Sequence, residues 1–259
     1  MRNLGLLLAL TGISFLTSCK KIDAAKGTPI ENTVDLTGFT GIDLATSSNL
    51  SFTEGAGTSI TVKAPEKVFN KMDIKIKDGV LEFDFKRGYI VKNSDQIEIN
   101  ITAPNINALY LSGSGIVDAN FDALISKIDA KLSVSGSGKI EAKNLTTTNL
   151  DIAISGSGEI NNSNVLVTDT KVSISGSGNL FIAGNCSNND IKISGSGSFK
   201  GYDYMTDNTE VKVSGSGDAQ VMANVSLNAN ISGSGRVFYK GTPNVNSTIT
   251  GSGSVTDAN

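Results

Sequence analysis

The sequence predicts an all-β protein: a right-handed parallel β-solenoid with coils of about 20 residues, preceded by amino-terminal strands that form a less regular cap. The tetrapeptide SGSG occurs seven times, with a TGSG variant at Thr250, and successive motifs start 23, 20, 20, 19, 20, 18 and 18 residues apart. Regular spacing of this kind is typical of a repeat protein. An alternating apolar segment such as LDIAI or EVKV precedes each motif, which indicates a short strand and not a flexible linker. The right hand follows from the general rule for parallel strands joined by crossovers.

The glycines of the motif continue the apolar row of the strand before it. Ile152, Ile154, Gly156 and Gly158 share one parity, so in an extended chain the glycines would face the core and the serines would face solvent. A glycine at such a position lets another backbone approach closely or permits a bend. We therefore expect each motif to form a narrow corner of a coil.

A column of outward side chains is expected four residues after each motif starts. Parallel stacking of the coils would place Lys139 beside Glu159 and Asp218 beside Arg236, and opposite charges on neighbouring strands are mildly stabilising. The full column comprises Ile116, Lys139, Glu159, Asn179, Ser198, Asp218 and Arg236.

The chain divides into four predicted segments. Residues 1–18 are a lipoprotein signal peptide, 19–33 a lipidated tether, 34–111 an amino-terminal β region or cap, and 112–259 the SGSG-repeat solenoid. The region 34–111 contains alternating segments such as SITVKA and VLEFDF, separated by turn signals, but it lacks the tetrapeptide. A separate small sandwich is the alternative for this region.

The first 19 residues have the pattern of an export signal. Arg2 supplies a basic start, an apolar stretch runs from Leu4 to Leu16, and small residues precede Cys19. The sequence LTSC resembles the lipobox of bacterial lipoproteins, which implies cleavage before Cys19, acylation of that residue and a membrane partner held through the lipid. A plain signal peptide with a coincidental cysteine is the alternative. With Cys19 acylated, Cys186 has no disulfide partner, and we expect it to be a packed thiol.

Composition excludes several classes of function. The chain has no His and two Cys, so it cannot form a Ser/His/Asp or Cys/His relay, a His-based zinc site or a cysteine cluster. A formal net charge of −3 provides no basic field for a nucleic acid. We therefore predict no enzyme activity, no catalytic residues, no metal or cofactor and no nucleic-acid partner. The enzymatic alternative is a carbohydrate-active enzyme on a β-helix, with Asp203, Asp207 and Glu210 as its candidate carboxylates.

Two surfaces are candidate ligand sites. Tyr202 and Tyr204 lie in GYDYMTDNTE, which we predict to be a loop, where their rings would stack on sugars. The alternative is a solvated acidic turn. The paired serines of the motif would form outward rows of hydroxyl groups, although small polar residues are also ordinary beside a corner. The serines of the three most regular coils are Ser135, Ser137, Ser155, Ser157, Ser175 and Ser177.

Several of these features occur together in one known family. The SGSG repeats, the opening strand FTGIDL at Phe39–Leu44, the KDGVLEF hairpin at Lys77–Phe83 and the lipobox resemble the head GIN domain family, whose members are described as auto-transporter adhesins. The resemblance covers nearly all of the chain after the signal. It implies a β-helical protein of the cell envelope. We expect a non-enzymatic, lipid-anchored protein of the outer membrane, facing the cell surface or the periplasm, that binds a glycan or protein ligand. A periplasm-facing structural or envelope-maintenance lipoprotein is the alternative.

Overall fold

The computed structural model describes residues 19–122 and 127–259, and the predicted signal peptide, 1–18, lies outside them. Within these residues the chain forms 21 strands, the one-turn helix α1 (Glu66–Phe69) and a 3-10 turn at Ser94–Gln96. The amino-terminal strands are β1 (Lys20–Asp23), β2 (Pro29–Thr33), β3 (Gly41–Leu44), β4 (Asn49–Glu54), β5 (Ser59–Pro65), β6 (Met72–Lys77), β7 (Val80–Phe85), β8 (Tyr89–Lys92), β9 (Glu98–Ala103) and β10 (Ala108–Leu111). The remaining strands are β11 (Ile116–Asn120), β12 (Lys127–Val134), β13 (Lys139–Lys143), β14 (Thr146–Gly156), β15 (Glu159–Gly176), β16 (Asn179–Gly195), β17 (Ser198–Gly215), β18 (Asp218–Gly233), β19 (Arg236–Lys240), β20 (Asn244–Gly251) and β21 (Ser254–Asp257).

The predicted parallel solenoid is confirmed. One column of strands runs through β3, β10, β12 and β14 and continues through the carboxyl-terminal parts of β15 to β18 into β20. A second column runs through β4, β11 and β13 and continues through the amino-terminal parts of β15 to β18 into β19 and β21. Each SGSG motif joins the first column to the second, so it forms a corner as predicted.

The two glycines of a motif serve different packing needs. A Cβ atom on Gly158 would lie 2.4 Å from Cγ1 of Val134, so this buried glycine faces the core as expected. A Cβ atom on Gly156 would instead lie 2.6 Å from the carbonyl oxygen of Gly136 in the preceding coil. The strict alternation of faces therefore does not continue through the motif, because the chain bends there.

The outward column follows the predicted register. Ile116 pairs with Lys139, Lys139 with Glu159, and Asp218 with Arg236. Lys139 Nζ lies 3.2 Å from Glu159 Oε1, and Arg236 Nε donates to Asp218 Oδ1 at 3.0 Å. The expected pairs of opposite charge are thus formed.

The amino-terminal region is continuous with the solenoid, which rules out a separate sandwich. Strand β3 pairs with β7 on one side and with β10 on the other, so the coil formed first along the chain lies second along the axis. Antiparallel pairing of β6 with β7, of β5 with β9 and of β2 with β5 then closes this end. The cap is consequently smaller than the predicted 34–111, because β3, β4, β7, β9 and β10 belong to the columns.

The segment 19–33, for which we predict a lipidated tether, contains two strands in the structure. Its residues Lys20–Asp23 form β1, which pairs in parallel with β8, and Pro29–Thr33 form β2. Ala24 is buried and Ile22 packs against the core, so apolar side chains hold the segment on the domain. The described part of the chain contains no helix long and apolar enough to cross a bilayer.

Candidate functional site

An elongated groove of about 830 Å³ runs along the first column of strands, from β10 to β18. Consecutive coils stack in register here, so every position of the repeat becomes a row of side chains parallel to the solenoid axis. Three rows build the groove: two outward rows form its walls, and the inward row between them forms its floor. Adjacent members of a row are separated by one strand spacing, ~4.8 Å.

The first wall, which we call the amide row, lies six residues before each motif. Its members are Asp129, Asn149, Asp169, Asn188, Asn208 and Ser226. Asn149 Nδ2 donates to Asp129 Oδ1 at 2.8 Å, and Asn188 Nδ2 donates to Asp169 Oδ1 at 2.8 Å. Since each side chain is held by its neighbour in the next coil, the row presents a fixed series of polar groups.

The second wall, which we call the charged row, lies four residues before each motif. Its members are Lys131, Asp151, Lys171, Asp190, Glu210 and Asn228. Lys131 Nζ lies 3.9 Å from Asp151 Oδ2, so the first two charges of the row are paired. The two walls together carry five carboxylates and two lysines, and Lys192 and Lys212 beside the groove pair with Asp190 and Glu210 at 3.4 and 2.5 Å.

The floor contains buried polar groups as well as apolar ones. Ala130, Leu150, Thr170, Asn189 and Thr209 follow one another in register along it. Asn189 is 4% exposed, and its Oδ1 atom has no hydrogen-bond partner among the described residues. Oδ1 of Asp190, in the wall beside it, is likewise buried without a partner in that part of the chain. Buried acceptors are normally satisfied, and both of these atoms are shielded from solvent, so they lie beneath the polar surface of the groove and not on it.

A hydrogen-bond network beneath the floor holds it in place. Thr170 Oγ1 and Tyr204 Oη lie 2.6 Å apart, and Cys186 Sγ donates to the carbonyl oxygen of Asn188 at 3.0 Å. Burial raises the pKa of Tyr204, so its hydroxyl stays protonated and available as a donor. Cys186 is buried within this network, which confirms the expectation of a packed thiol.

The structure corrects the predicted tyrosine platform. The segment GYDYMTDNTE belongs to strand β17 and is not a loop. Tyr204 is 1% exposed, so its ring cannot stack on a ligand. Its side chain points to the core, although Tyr202 has the same parity, because strand alternation is interrupted between Gly201 and Met205. Tyr202 is half-buried on the outer face, where Lys240 Nζ lies 4.7 Å from its ring centroid.

The candidate carboxylates do not form one catalytic site. Asp203 lines a shallow cleft with Phe181 and Lys200, whereas Glu210 lines the groove. No group of three or more His, Cys, Asp or Glu side chains suited to a metal occurs within residues 19–122 and 127–259.

The serine rows lie where the sequence places them, outside the groove. Ser155 pairs in register with Ser175, and both are exposed. All six serines named above, Ser135, Ser137, Ser155, Ser157, Ser175 and Ser177, are exposed at the corner. None of them lines the groove. They remain a candidate surface separate from it.

Sequence reasoning missed the groove, although the sequence carries a signal for it. An Asp or Asn stands six residues before the motif in five successive coils, from Asp129 to Asn208. The alternating apolar residues identify the inward positions of each strand and give no information about the outward ones. Tyr110 lines the amino-terminal end of the groove and was also missed. It lies in β10, a strand of only four residues, ALYL.

Comparison with known proteins places the fold. A family model described as "Putative auto-transporter adhesin, head GIN domain" matches residues 38–243. A "Putative lipid binding protein" from Parabacteroides distasonis has a TM-score of 0.83 at 24% identity, over 93% of this chain and 100% of that one. A "putative adhesin" from Parabacteroides merdae also has a TM-score of 0.83, at 20% identity, over 93% of this chain and 100% of that one. At these identities the likeness to solved structures shows the fold alone. No curated protein matches the chain.

Proposed function

The chain belongs to the head GIN domain family of auto-transporter adhesin-like proteins, and from that premise we propose that it is a non-enzymatic, lipid-anchored protein of the cell envelope that binds an extended glycan in the groove. Adhesion-like binding without catalysis is the role that the names of the family and of its structural neighbours support.

The repeated polar walls of the groove carry the proposal. They present amide and carboxylate groups at the strand spacing, and these are acceptors for sugar hydroxyls. A glycan is also a linear repeat. If it lies along the solenoid axis, successive sugar rings can contact successive coils. The half-buried ring of Tyr110 at one end offers a face for stacking.

The charge of the groove narrows the class of glycan. Asp129 and Asp169 line it without an ion-pair partner among the described residues, so an acidic polysaccharide would meet repulsion along this wall. Neutral glycans and those with free amino groups avoid this cost. We therefore propose a neutral or amino-sugar polymer as the ligand.

A binding assay on two matched double variants tests the groove. We expect Asn188→Ala with Glu210→Ala to weaken binding of a neutral oligosaccharide by about tenfold or more, since one hydrogen bond to a charged group is worth about 1.5–3 kcal/mol. The control, Ser157→Ala with Ser177→Ala, changes exposed corner residues and should bind as the wild type does. Loss in the serine variant alone would move the site to the corner, and the absence of binding across neutral and amino-sugar panels would reject the glycan.

The cellular location needs a separate experiment. Protease treatment of intact cells, with a periplasmic protein as control, should remove the domain if it faces outward. Protection of the domain together with the control would favour the alternative role in the periplasm. Replacing Cys19 with Ser should release the protein from the membrane fraction if that residue carries the anchor.

A further inference from the structure

The described residue next to the predicted signal, Cys19, adjoins a basic surface of the molecule. We define the basic end as the charged residues within 20–26, 66–71 and 86–92, which include eight Lys or Arg and two Asp or Glu. Its formal charge is +6, whereas the whole chain carries −3, so all other residues together carry −9. All of the basic side chains are exposed except Lys71, which is half-buried.

Strand pairing brings these segments together although they are far apart in sequence. Lys20 lies opposite Tyr89, and Lys21 lies opposite Ile90, in the parallel pair of β1 and β8. The backbone N–H of Lys20 donates to the carbonyl oxygen of Gly88 at 2.8 Å, which places Cys19 beside the turn that contains Arg87. The position of the anchor residue is therefore fixed relative to the domain.

The helix α1 and the residues after it complete the surface. Lys71 Nζ lies 4.9 Å from the centroid of the Tyr89 ring, and Lys86 Nζ donates to the carbonyl oxygen of Asn70 at 3.1 Å. Lys67 acts with Lys26 on the carboxylate of Asp23, whose pKa is lowered mainly by a hydrogen bond from the Asn93 amide and further by these two charges.

An exposed apolar side chain accompanies the charges. Ile90 is 46% exposed and lies beside Lys21 on the neighbouring strand. Surfaces that rest on a bilayer combine basic side chains with a few apolar ones, because the former meet anionic headgroups and the latter enter the interface. The basic end has this composition.

We propose that the basic end docks on an anionic phospholipid surface, an inference that rests on the lipid anchor of the proposed function. A basic patch next to a lipid anchor adds an electrostatic attachment to anionic headgroups. The rest of the chain carries a net charge of −9, so an anionic bilayer repels it and the solenoid projects away from the bilayer. The groove is then held clear of the membrane and open to a ligand.

Vesicle binding tests this surface without the acyl chain. The protein is the chain from residue 19 onward, which holds all the described strands, with Cys19→Ser. It is sedimented with vesicles of equal parts phosphatidylglycerol and phosphatidylcholine, or of phosphatidylcholine alone. We expect binding to the anionic vesicles only, a decrease with added salt, and a loss on the order of 30-fold in a Lys20→Glu and Arg87→Glu variant.

A second double variant of equal charge change controls for net charge. Lys143→Glu with Lys200→Glu changes exposed lysines on the second column, away from the basic end, and should reduce vesicle binding far less. Equal losses in the two variants, equal binding to neutral vesicles, or no binding to anionic vesicles would each overturn the proposal. Glycan binding by these two double variants should be unchanged. A negative result with vesicles would therefore reject membrane docking without rejecting glycan binding in the groove.

Discussion

The backbone N–H of Ser177 donates to the carbonyl oxygen of Gly156 in the preceding coil at 2.9 Å. The equivalent bond joins Ser196 to Gly176 one coil further on, also at 2.9 Å. The parallel ladder therefore continues around the corner, which brings two backbones too close for a side chain between them. Gly176 has φ of +121°, a conformation that favours glycine, so the motif is required both by contact and by backbone geometry.

A single methyl group at this corner should destabilise the coil. In Gly158→Ala the new Cβ would lie 2.4 Å from Val134 Cγ1 and 2.7 Å from the carbonyl oxygen of Gly138. Overpacking of this kind costs about 1–3 kcal/mol, which urea denaturation would detect as a lower midpoint.

Gly57 provides the matched control for that substitution. A Cβ atom there would meet no heavy atom within 4 Å, and its φ lies outside the left-handed region. We expect Gly57→Ala to leave the midpoint unchanged or to raise it slightly, because alanine reduces the entropy of the unfolded chain. Similar losses at both positions would contradict the account of the corner.

The buried hydroxyl of Tyr204 should contribute to stability and not to ligand stacking. Tyr204→Phe removes the bond to Thr170, 2.6 Å long, and leaves the threonine with a weaker contact to Cys186 at 3.4 Å. We expect a loss of about 1–2 kcal/mol in the free energy of unfolding. Tyr202→Phe, on the outer face, should have almost no effect. A larger loss in the second variant would reverse the assignment.

The regular part of the solenoid was predictable because each coil repeats the same local pattern. Alternation before SGSG indicated the strand faces, and counting from each motif start indicated the register although the spacing varies, so the pairing of Lys139 with Glu159 was predicted. The corner was equally predictable, since a pair of glycines that continues an apolar row indicates a close approach of two backbones or a bend.

The amino-terminal order was not predictable from the same pattern. Placing β3 between β7 and β10 depends on long-range pairing that no local signal specifies. Strand β1 is short and carries two lysines, so its sequence is typical of a linker. Only its pairing with β8, which is distant in sequence, identifies it as a strand. The groove was missed for a related reason: its walls belong to six different coils, and a row across coils has no contiguous sequence motif.

The ion pair between Glu54 and Lys127 should be the most sensitive electrostatic contact. The side chains are 0% and 7% exposed, and Glu54 also accepts a hydrogen bond from the backbone N–H of Asp122 at 3.0 Å. Glu54→Gln would leave the ammonium group of Lys127 buried without its counterion, at a cost of about 3–5 kcal/mol.

The exposed pair of Lys63 and Glu98 is the control for that substitution. Its side chains are 48% and 53% exposed at a separation of 3.0 Å. Lys63→Gln should therefore cost less than about 1 kcal/mol. Thermal or urea unfolding of both variants gives the comparison, and equal effects would show that burial does not govern these pairs.

The carboxylate of Asp43 should lower stability at neutral pH. Partial burial raises its pKa, and the nearby carboxylates of Glu82 and Asp84 raise it further, against a hydrogen bond from Ser112 Oγ at 3.0 Å. Because the pKa of Asp43 is raised in the folded state, its contribution to the free energy of unfolding is fully present below the unfolded pKa of about 3.9. This contribution is lost as the pH rises through the pKa of the folded state. Asp43→Asn, which keeps an acceptor for Ser112, should therefore have a higher urea midpoint than the wild type at pH 7, and the difference should vanish near pH 3.

Asp23 should show the opposite sign and so serves as the control for Asp43. A hydrogen bond from Asn93 Nδ2, 2.7 Å long, is the main reason that its pKa is lowered. Stability from Asp23 is present above the unfolded pKa and lost as the pH falls through the folded value, so Asp23→Asn should be less stable than the wild type at pH 7 and equal to it in acid. Urea midpoints of both variants across this pH range test the pair. If Asp43→Asn is the less stable protein at neutral pH, the hydrogen bond from Ser112 outweighs burial and the assigned sign is wrong.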